Sequence, residues 1–304
     1  MINLKKYAGY VYLVLTLILW GSLYVSAKSV MSQMSPLAVL AGRYGISIIA
    51  LYFIMRKRGF KKVKKEHRKI LFAIGAVGYF GGIAFQLIGT DMLDASLASL
   101  INSMNPVIIP IIAAIFLKEK INARICISIA VSVIGIYVIL GVGGNITAGG
   151  IIVNVLSVVF WSLSCCMVRS IANDYDPIQI TLYAMTIAFC FSLPAAAINT
   201  IYVPIKLTLG GIASLIYIAL VCTALSHILW NKSLKLLDAT TCSLFYPIQP
   251  LTSAVLAIVF LGEKITLNFV IGAIIICAGI FLAVISTGDK PTSLKEVETD
   301  GLQY

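Results

Sequence analysis

Residues able to do chemistry are few in this chain of 304 amino acids, and most of them are neutral. Its two histidines, His67 and His227, belong to no HExxH pair and no His-x4-Asp acyltransfer motif, and no paired aspartates sit inside an apolar run. Nucleophilic catalysis needs a nucleophile beside its base, and a catalytic metal needs several ligands. Neither arrangement is available here, so the sequence argues against an enzyme and implies no cofactor and no metal. Seven cysteines (Cys126, Cys165, Cys166, Cys190, Cys222, Cys242, Cys277) form no CxxC pair and read as small hydrophobes. What remains suits the holding of a solute rather than its transformation: the amides of Gln86, Asn102, Asn105 and Gln249, with the rings of Trp20, Tyr24, Tyr79, Trp161, His227 and Tyr246.

These residues are embedded in long apolar stretches. Hydrophobic residues make up 60% of the chain and charged ones 12%, against about 45–50% and about 25% in soluble domains. A span needs about 20 apolar residues. Ten stretches qualify: 7–28, 35–55, 70–90, 95–117, 121–140, 150–172, 177–199, 209–231, 239–261 and 265–285. The polar segments 56–69 and 286–304 are too short to bury a core. The expected fold is therefore an all-α integral membrane protein with ten transmembrane helices.

The formal charge of +11 does not point to nucleic acid, because nine of the 23 basic residues crowd into 56–69. Beside a membrane, such a cluster suits anionic lipid headgroups. With the N-terminus inside, 19 basic residues face the cytoplasm and three (Lys28, Lys206, Lys264) face out, with Arg43 within a span. That bias predicts a multi-pass protein of the plasma membrane with both termini cytoplasmic. Lys28 and Arg169, at the ends of spans, read as cations snorkelling to opposite headgroup regions. Nothing in the sequence fixes an oligomeric state.

The chain repeats itself. A shift of 141 residues aligns Trp20 with Trp161, Lys28 with Arg169, Pro36 with Pro177 and Gln86 with His227. A shift of 144 aligns Asp94-Ala95-Ser96 with Asp238-Ala239-Thr240, Pro106 with Pro250, and Phe116 to Ile121 with Phe260 to Ile265. The expected units are a first repeat at 1–144, a second at 145–286 and a polar cytoplasmic tail at 287–304. Each repeat holds five spans, an odd number, so the second enters the membrane upside down. Inverted repeats recur in transporters, with the substrate site near the midplane.

Trp20-Gly21-Ser22, the run from Pro106 to Leu117-Lys118-Glu119-Lys120 with Gly135, and the second copy from Pro250 to Leu261-Gly262-Glu263-Lys264 with Gly279 together resemble the drug/metabolite transporter superfamily. The resemblance is to EamA-type permeases with two five-helix repeats, and it covers all ten stretches. It implies cytoplasmic termini, a central cavity shared by both repeats, and transport of small metabolites, often outward and including amino acids. The second copy departs from the pattern in reading Trp161-Ser-Leu where the first reads Trp-Gly-Ser.

Two pairs of prolines fall near the middle of their spans: Pro106 with Pro110, and Pro247 with Pro250. Each removes a hydrogen bond to the carbonyl four residues earlier. Helix kinks are expected there, with freed carbonyls lining a polar cavity. Serines and threonines on the same faces read as close-packing residues. Arg43 suits a substrate carboxylate or carbonyls inside the bundle, and the resemblance adds a gate role. No carboxylate lies mid-span, which argues against a buried acidic proton relay and against cationic solutes. The expected function is a small-metabolite carrier, an exporter of amino acids or related compounds working by alternating access. A sugar, nucleotide-sugar or lipid-linked-sugar carrier is the alternative, and an intramembrane enzyme a distant one.

Overall fold

A computed structural model describes residues 2–105, 107–109, 111–112, 147–237, 242, 245–264 and 266–288, with scattered positions between 123 and 138. Most of the expected span 121–140, the tail beyond 288, and Pro106 and Pro110 lie outside the described residues. Among the described residues the chain is helical throughout, with no strand. In chain order the helices are α1 (Ile2–Met31), α2 (Pro36–Arg58), α3 (Lys65–Met92), α4 (Ala95–Asn102), α5 (Ala148–Ile171), α6 (Pro177–Tyr202), α7 (Leu209–Leu236), α8 (Ile248–Leu261) and α9 (Leu267–Gly288). Six of them, α1, α2, α3, α5, α6 and α7, are long and apolar enough to cross a bilayer. Their outward faces carry exposed Ile49, Phe53, Phe72, Ile198 and Ile201. This apolar coat belongs in lipid, and the protein is an integral membrane protein.

Helix starts follow local chemistry. Ser35, Thr147, Asp176 and Thr208 each accept a backbone N–H of the turn that follows, and Pro36 and Pro177 occupy first helical positions, where no N–H is needed. At the end of α8, Gly262 takes a left-handed φ of 66°, which glycine adopts at no steric cost.

The links sort into two groups. On one face Gln33 accepts from the Thr208 N–H at 2.8 Å, and Lys28 donates to the carbonyls of Thr90, Asp91 and Leu93 at 3.0, 2.9 and 2.6 Å. Glu263 belongs here too, accepting from the Ala95 N–H at 2.7 Å, the Ser96 N–H at 3.3 Å and the Ser96 hydroxyl at 2.6 Å. It caps α4 where the N-cap residue Asp94 makes no capping bond. Partial burial, and then the neighbouring Glu263 charge, push the Asp94 carboxyl above its ordinary range.

On the other face the basic loop docks against the start of α6. Lys64 pairs with Asp174 at 2.9 Å, Gln179 exchanges hydrogen bonds with the backbone of Lys61, and Arg169 donates to the carbonyls of Leu234 and Leu237. The hydrogen bond from Lys64 holds the Asp174 carboxyl below the carboxylate range, so this contact contributes above that range and is lost as pH falls through the depressed value. It is exposed, and its contribution is small.

Lys28 and Arg169 correct the snorkelling reading. Each reaches back to the carbonyls that end a helix, α3 for Lys28 and α7 for Arg169. A cation there meets the negative end of the helix dipole. The two act at opposite faces.

The repeat is also visible in the middle of the bundle. Ile74–Gly82 of α3 and Leu220–Leu225 of α7 are both π-helical, and a shift of 144 carries the first onto 218–226, a range that contains the second. Two helix breaks match as well: turns at 103–104 after α4 and at 245–247 before α8. Pro247 is the N-cap residue of α8 and Pro250 lies in its first turn. The second proline pair thus starts a helix instead of bending one, because a proline in a first turn removes no hydrogen bond. The Tyr246 carbonyl it would have orphaned accepts from the Gln249 N–H at 2.9 Å.

α3 packs closely on α5. A Cβ on Gly78 would sit 2.1 Å from the Cβ of Ser164, and one on Gly89 would sit 2.2 Å from the Asn154 Nδ2. Small residues allow such approach in a membrane, where packing rather than water exclusion drives association.

Candidate functional site

Between the halves lies a narrow cavity. Trp20 and Leu23 of α1, Arg43 of α2, and Gly82, Ile83 and Gln86 of α3 form part of its wall. Asn102 and Asn105 stand at the first helix break, and Tyr246 and Gln249 at the second. Ser157 and Trp161 of α5 and His227 of α7 complete it. Among the expected substrate residues, Trp20, Gln86, Asn102, Asn105, Trp161, His227, Tyr246 and Gln249 therefore meet around one space. Tyr24 and Tyr79 sit just behind it, bonded to or packed on residues that line it.

The two asparagines are held by protein. Asn102 donates from Nδ2 to the Ala98 carbonyl at 3.0 Å and to Asn154 Oδ1 at 2.7 Å, and its Oδ1 accepts from the Ser157 hydroxyl at 3.0 Å. Asn105 donates to the Asn102 carbonyl at 2.6 Å and accepts from Ser162 at 2.8 Å. That carbonyl is the one Pro106 would leave unbonded, and the Asn105 amide satisfies it. The pair clamps α4 to α5, and with it the first half to the second.

The glutamines are arranged differently. Gln86 and Gln249 each reach the Tyr24 hydroxyl, at 2.6 and 3.1 Å, and the Oε1 of each is buried without a partner. A hydroxyl has one hydrogen to give, so at least one amide must bond Tyr24 through Nε2 and leave its oxygen free. Tyr24→Phe should release both amides, weaken solute binding about tenfold and lower the midpoint of thermal unfolding, since it leaves buried amide donors without this acceptor. Unchanged binding would show that the amides need no such hold.

Arg43 is fully buried. Its Nε donates to Thr223 Oγ1 at 2.7 Å, while Nη1 and Nη2 have no partner. Thr223 lies in the π-helical part of α7, and its carbonyl accepts from His227 Nδ1 at 2.8 Å. Since a carbonyl only accepts, Nδ1 carries the hydrogen, and in the neutral ring Nε2 is an acceptor; it too is unpartnered. One threonine thus positions both the cation and the imidazole.

Rings fill the centre. Trp20 and Trp161, the tryptophans matched by the repeat, meet edge to face with centroids 5.5 Å apart. His227 lies 5.4 Å from Trp20, 5.6 Å from Trp161 and 5.1 Å from Tyr79. Trp161 Nε1 donates to the Tyr246 hydroxyl at 3.0 Å. Sequence reasoning did not single out Trp230, which packs 5.2 Å from Trp20 and 5.5 Å from Tyr246. The signal was available in Thr223, His227 and Trp230, which fall four and three residues apart on one helical face. Asn154 of α5 holds Asn102.

A polar chamber walled by both halves of a helical membrane protein, beside matched helix breaks, is the build of a membrane transporter. Similarity to known proteins agrees. The sequence model of the EamA-like transporter family matches residues 7–141 and again 148–285. The chain belongs to the EamA-like transporter family. An uncharacterized transporter of Clostridium kluyveri is 29% identical, over 95% of this chain and 96% of its own length. One from Archaeoglobus fulgidus is 26% identical, over 90% and 98% respectively. The uncharacterized transporter YyaM of Bacillus subtilis is 25% identical, over 86% and 89%. A solved crystal structure with 17% identity superimposes with a TM-score of 0.65, covering 93% of this chain and 97% of that one, and shares its fold.

Proposed function

We propose that this transporter exports amino acids or related small compounds by alternating access. The observation that carries the reading is the cavity, to which both halves contribute amides and rings beside their helix breaks. In this reading the units are inverted five-helix repeats at 1–144 and 145–286, giving ten helices, with a polar tail at 287–304. Both termini lie in the cytoplasm, the membrane is the plasma membrane, and the unpaired remainder of the 56–69 cluster rests on anionic lipid. Ring and amide surfaces suit a small amphipathic solute, and the scarcity of hydroxyl-binding carboxylates favours this over a sugar.

Counterflow in sealed liposomes tests it. Vesicles holding the purified protein and an unlabelled amino acid should accumulate the labelled one, and protein-free vesicles should not. Trp161→Ala and Gln249→Ala should each lower the rate at least about tenfold while the protein stays folded, since each removes packing or a polar contact around the solute. If both variants transport normally, the chamber is not the site. If sugars alone are exchanged, the amino-acid reading fails.

A further inference from the structure

The unmatched chemistry of the cavity goes further than the presence of a chamber. Arg43 brings a permanent positive charge into a fully buried position. Its surroundings offer Thr223 Oγ1 to Nε and the face of the Tyr44 ring, 5.8 Å from Cζ. Among the described residues it takes part in no ion pair, and each described acidic residue lies in a link or at a helix end. A guanidinium taken out of water with two nitrogens unbonded is strongly unfavourable unless something else completes it. Those two nitrogens, side by side and planar, match the two oxygens of a carboxylate.

The opposite need is met by other groups in the same wall. At least one of Gln86 Oε1 and Gln249 Oε1 is a free acceptor, and so is His227 Nε2 in its neutral ring. An ammonium is a donor and nothing else. We infer that Arg43 is the anchor for a solute carboxylate and that the Gln86–Gln249 pair, with His227 Nε2, receives an ammonium on the same solute, so that the cavity recognises a zwitterionic α-amino acid by both ends. This rests on the transporter reading and adds to it the residue that meets each charge of the solute. A phosphate dianion fits less well, because among the described residues the wall supplies one cation and no second arginine or lysine to balance it.

The test uses the full-length protein in detergent, so binding is read without flux. Thermal stabilisation and equilibrium binding are measured for L-leucine, L-leucinamide, 4-methylpentanoate, methyl phosphate and glucose, with a second series built on L-phenylalanine. The amino acids should bind at least about 100-fold more tightly than their amides, as expected when a buried polar partner is left unpaired. They should also surpass the acids that lack the amine. Arg43→Gln should abolish the preference for acid over amide, and Arg43→Lys should recover part of it. Replacing Gln86 and Gln249 together with leucine should abolish the preference for the amine-bearing acid and spare the preference for acid over amide.

Amides binding as tightly as acids, tighter binding of methyl phosphate, or an Arg43→Gln variant that still prefers the acid would each overturn the inference. The acid-to-amide ratio of the unaltered protein decides the matter even if the Arg43 variants do not fold. Failure of every carboxylate to bind likewise overturns it, whereas counterflow of a neutral solute in that case would leave the transporter reading standing.

Discussion

Replacing Asn102 with alanine should destabilise the protein by about 1–3 kcal/mol, because it orphans Asn154 Oδ1 and the Ser157 hydroxyl inside the bundle. The Asn105 amide keeps its bond in this variant, because its acceptor is the backbone carbonyl of residue 102. The cost falls on the joint between the halves, so the midpoint of thermal unfolding should drop, and transport with it. Replacing Asn102 and Asn154 together with leucine removes both sides of the main bond. This double variant should be more stable than the sum of the singles predicts, by the roughly 0.6–1.7 kcal/mol typical of interhelical hydrogen bonds in membranes. A stable Asn102→Ala protein that had lost only solute binding would reassign this residue from clamp to ligand contact. Gln249→Ala should show the reverse balance: it gives up one bond, to a Tyr24 hydroxyl that Gln86 also holds, so unfolding should change less than binding, which loses the free Oε1.

This contrast marks the limit of what could be read in the sequence. Asn105 and Gln249 are matched by the repeat at a shift of 144, and on sequence they have equal claim to the cavity. The structure brings both to its wall but turns the Asn105 amide to Ser162 and leaves the Gln249 oxygen free. The difference depends on which helix each faces, and the polar residues Asn154 and Ser157 opposite Asn102, with Ser162 opposite Asn105, have meaning only once α4 is known to lie on α5. Helix bounds such as those of α2 and α6, and the internal repeat, were legible because they follow from runs of apolar residues, caps such as Ser35 and Asp176, and aligned Trp20 and Trp161. The π-helical stretches were not, since an i→i+5 ladder carries no composition signal and is set by packing around it. Arg43 was legible as an anomaly: a cation within a span, in a chain whose acids all lie elsewhere. That its two outer nitrogens are free and share a wall with free acceptors needed the structure.

Loss of the Glu263 carboxylate should loosen the seal between the halves at one face. Glu263 stands just beyond α8 in the second half, and caps the N-terminus of α4 in the first. A charge-assisted bond of this kind contributes about 1.5–3 kcal/mol, or about 10–100-fold in an opening equilibrium. Glu263→Ala should therefore speed hydrogen exchange at the Ala95 and Ser96 amides. Asp94, already the N-cap residue and without a capping bond, can swing in to replace the lost carboxylate. The single variant is thus expected near tenfold, and the Glu263→Ala, Asp94→Ala double variant near 100-fold. Unchanged exchange in the double variant would mean that the seal does not depend on this cap. The repeat supplies a matched experiment: Glu119 stands in register with Glu263, and Ala239-Thr240 with Ala95-Ser96. Residues 119, 239 and 240 lie outside those described, so the expectation rests on sequence alone. Glu119→Ala should speed exchange at Ala239 and Thr240 and leave Ala95 and Ser96 protected. If carboxylate caps fasten opposite faces in turn, the two single variants should also bias transport oppositely, each favouring solute access from the face whose cap was removed. Equal bias from both would leave the caps as helix ends and nothing more.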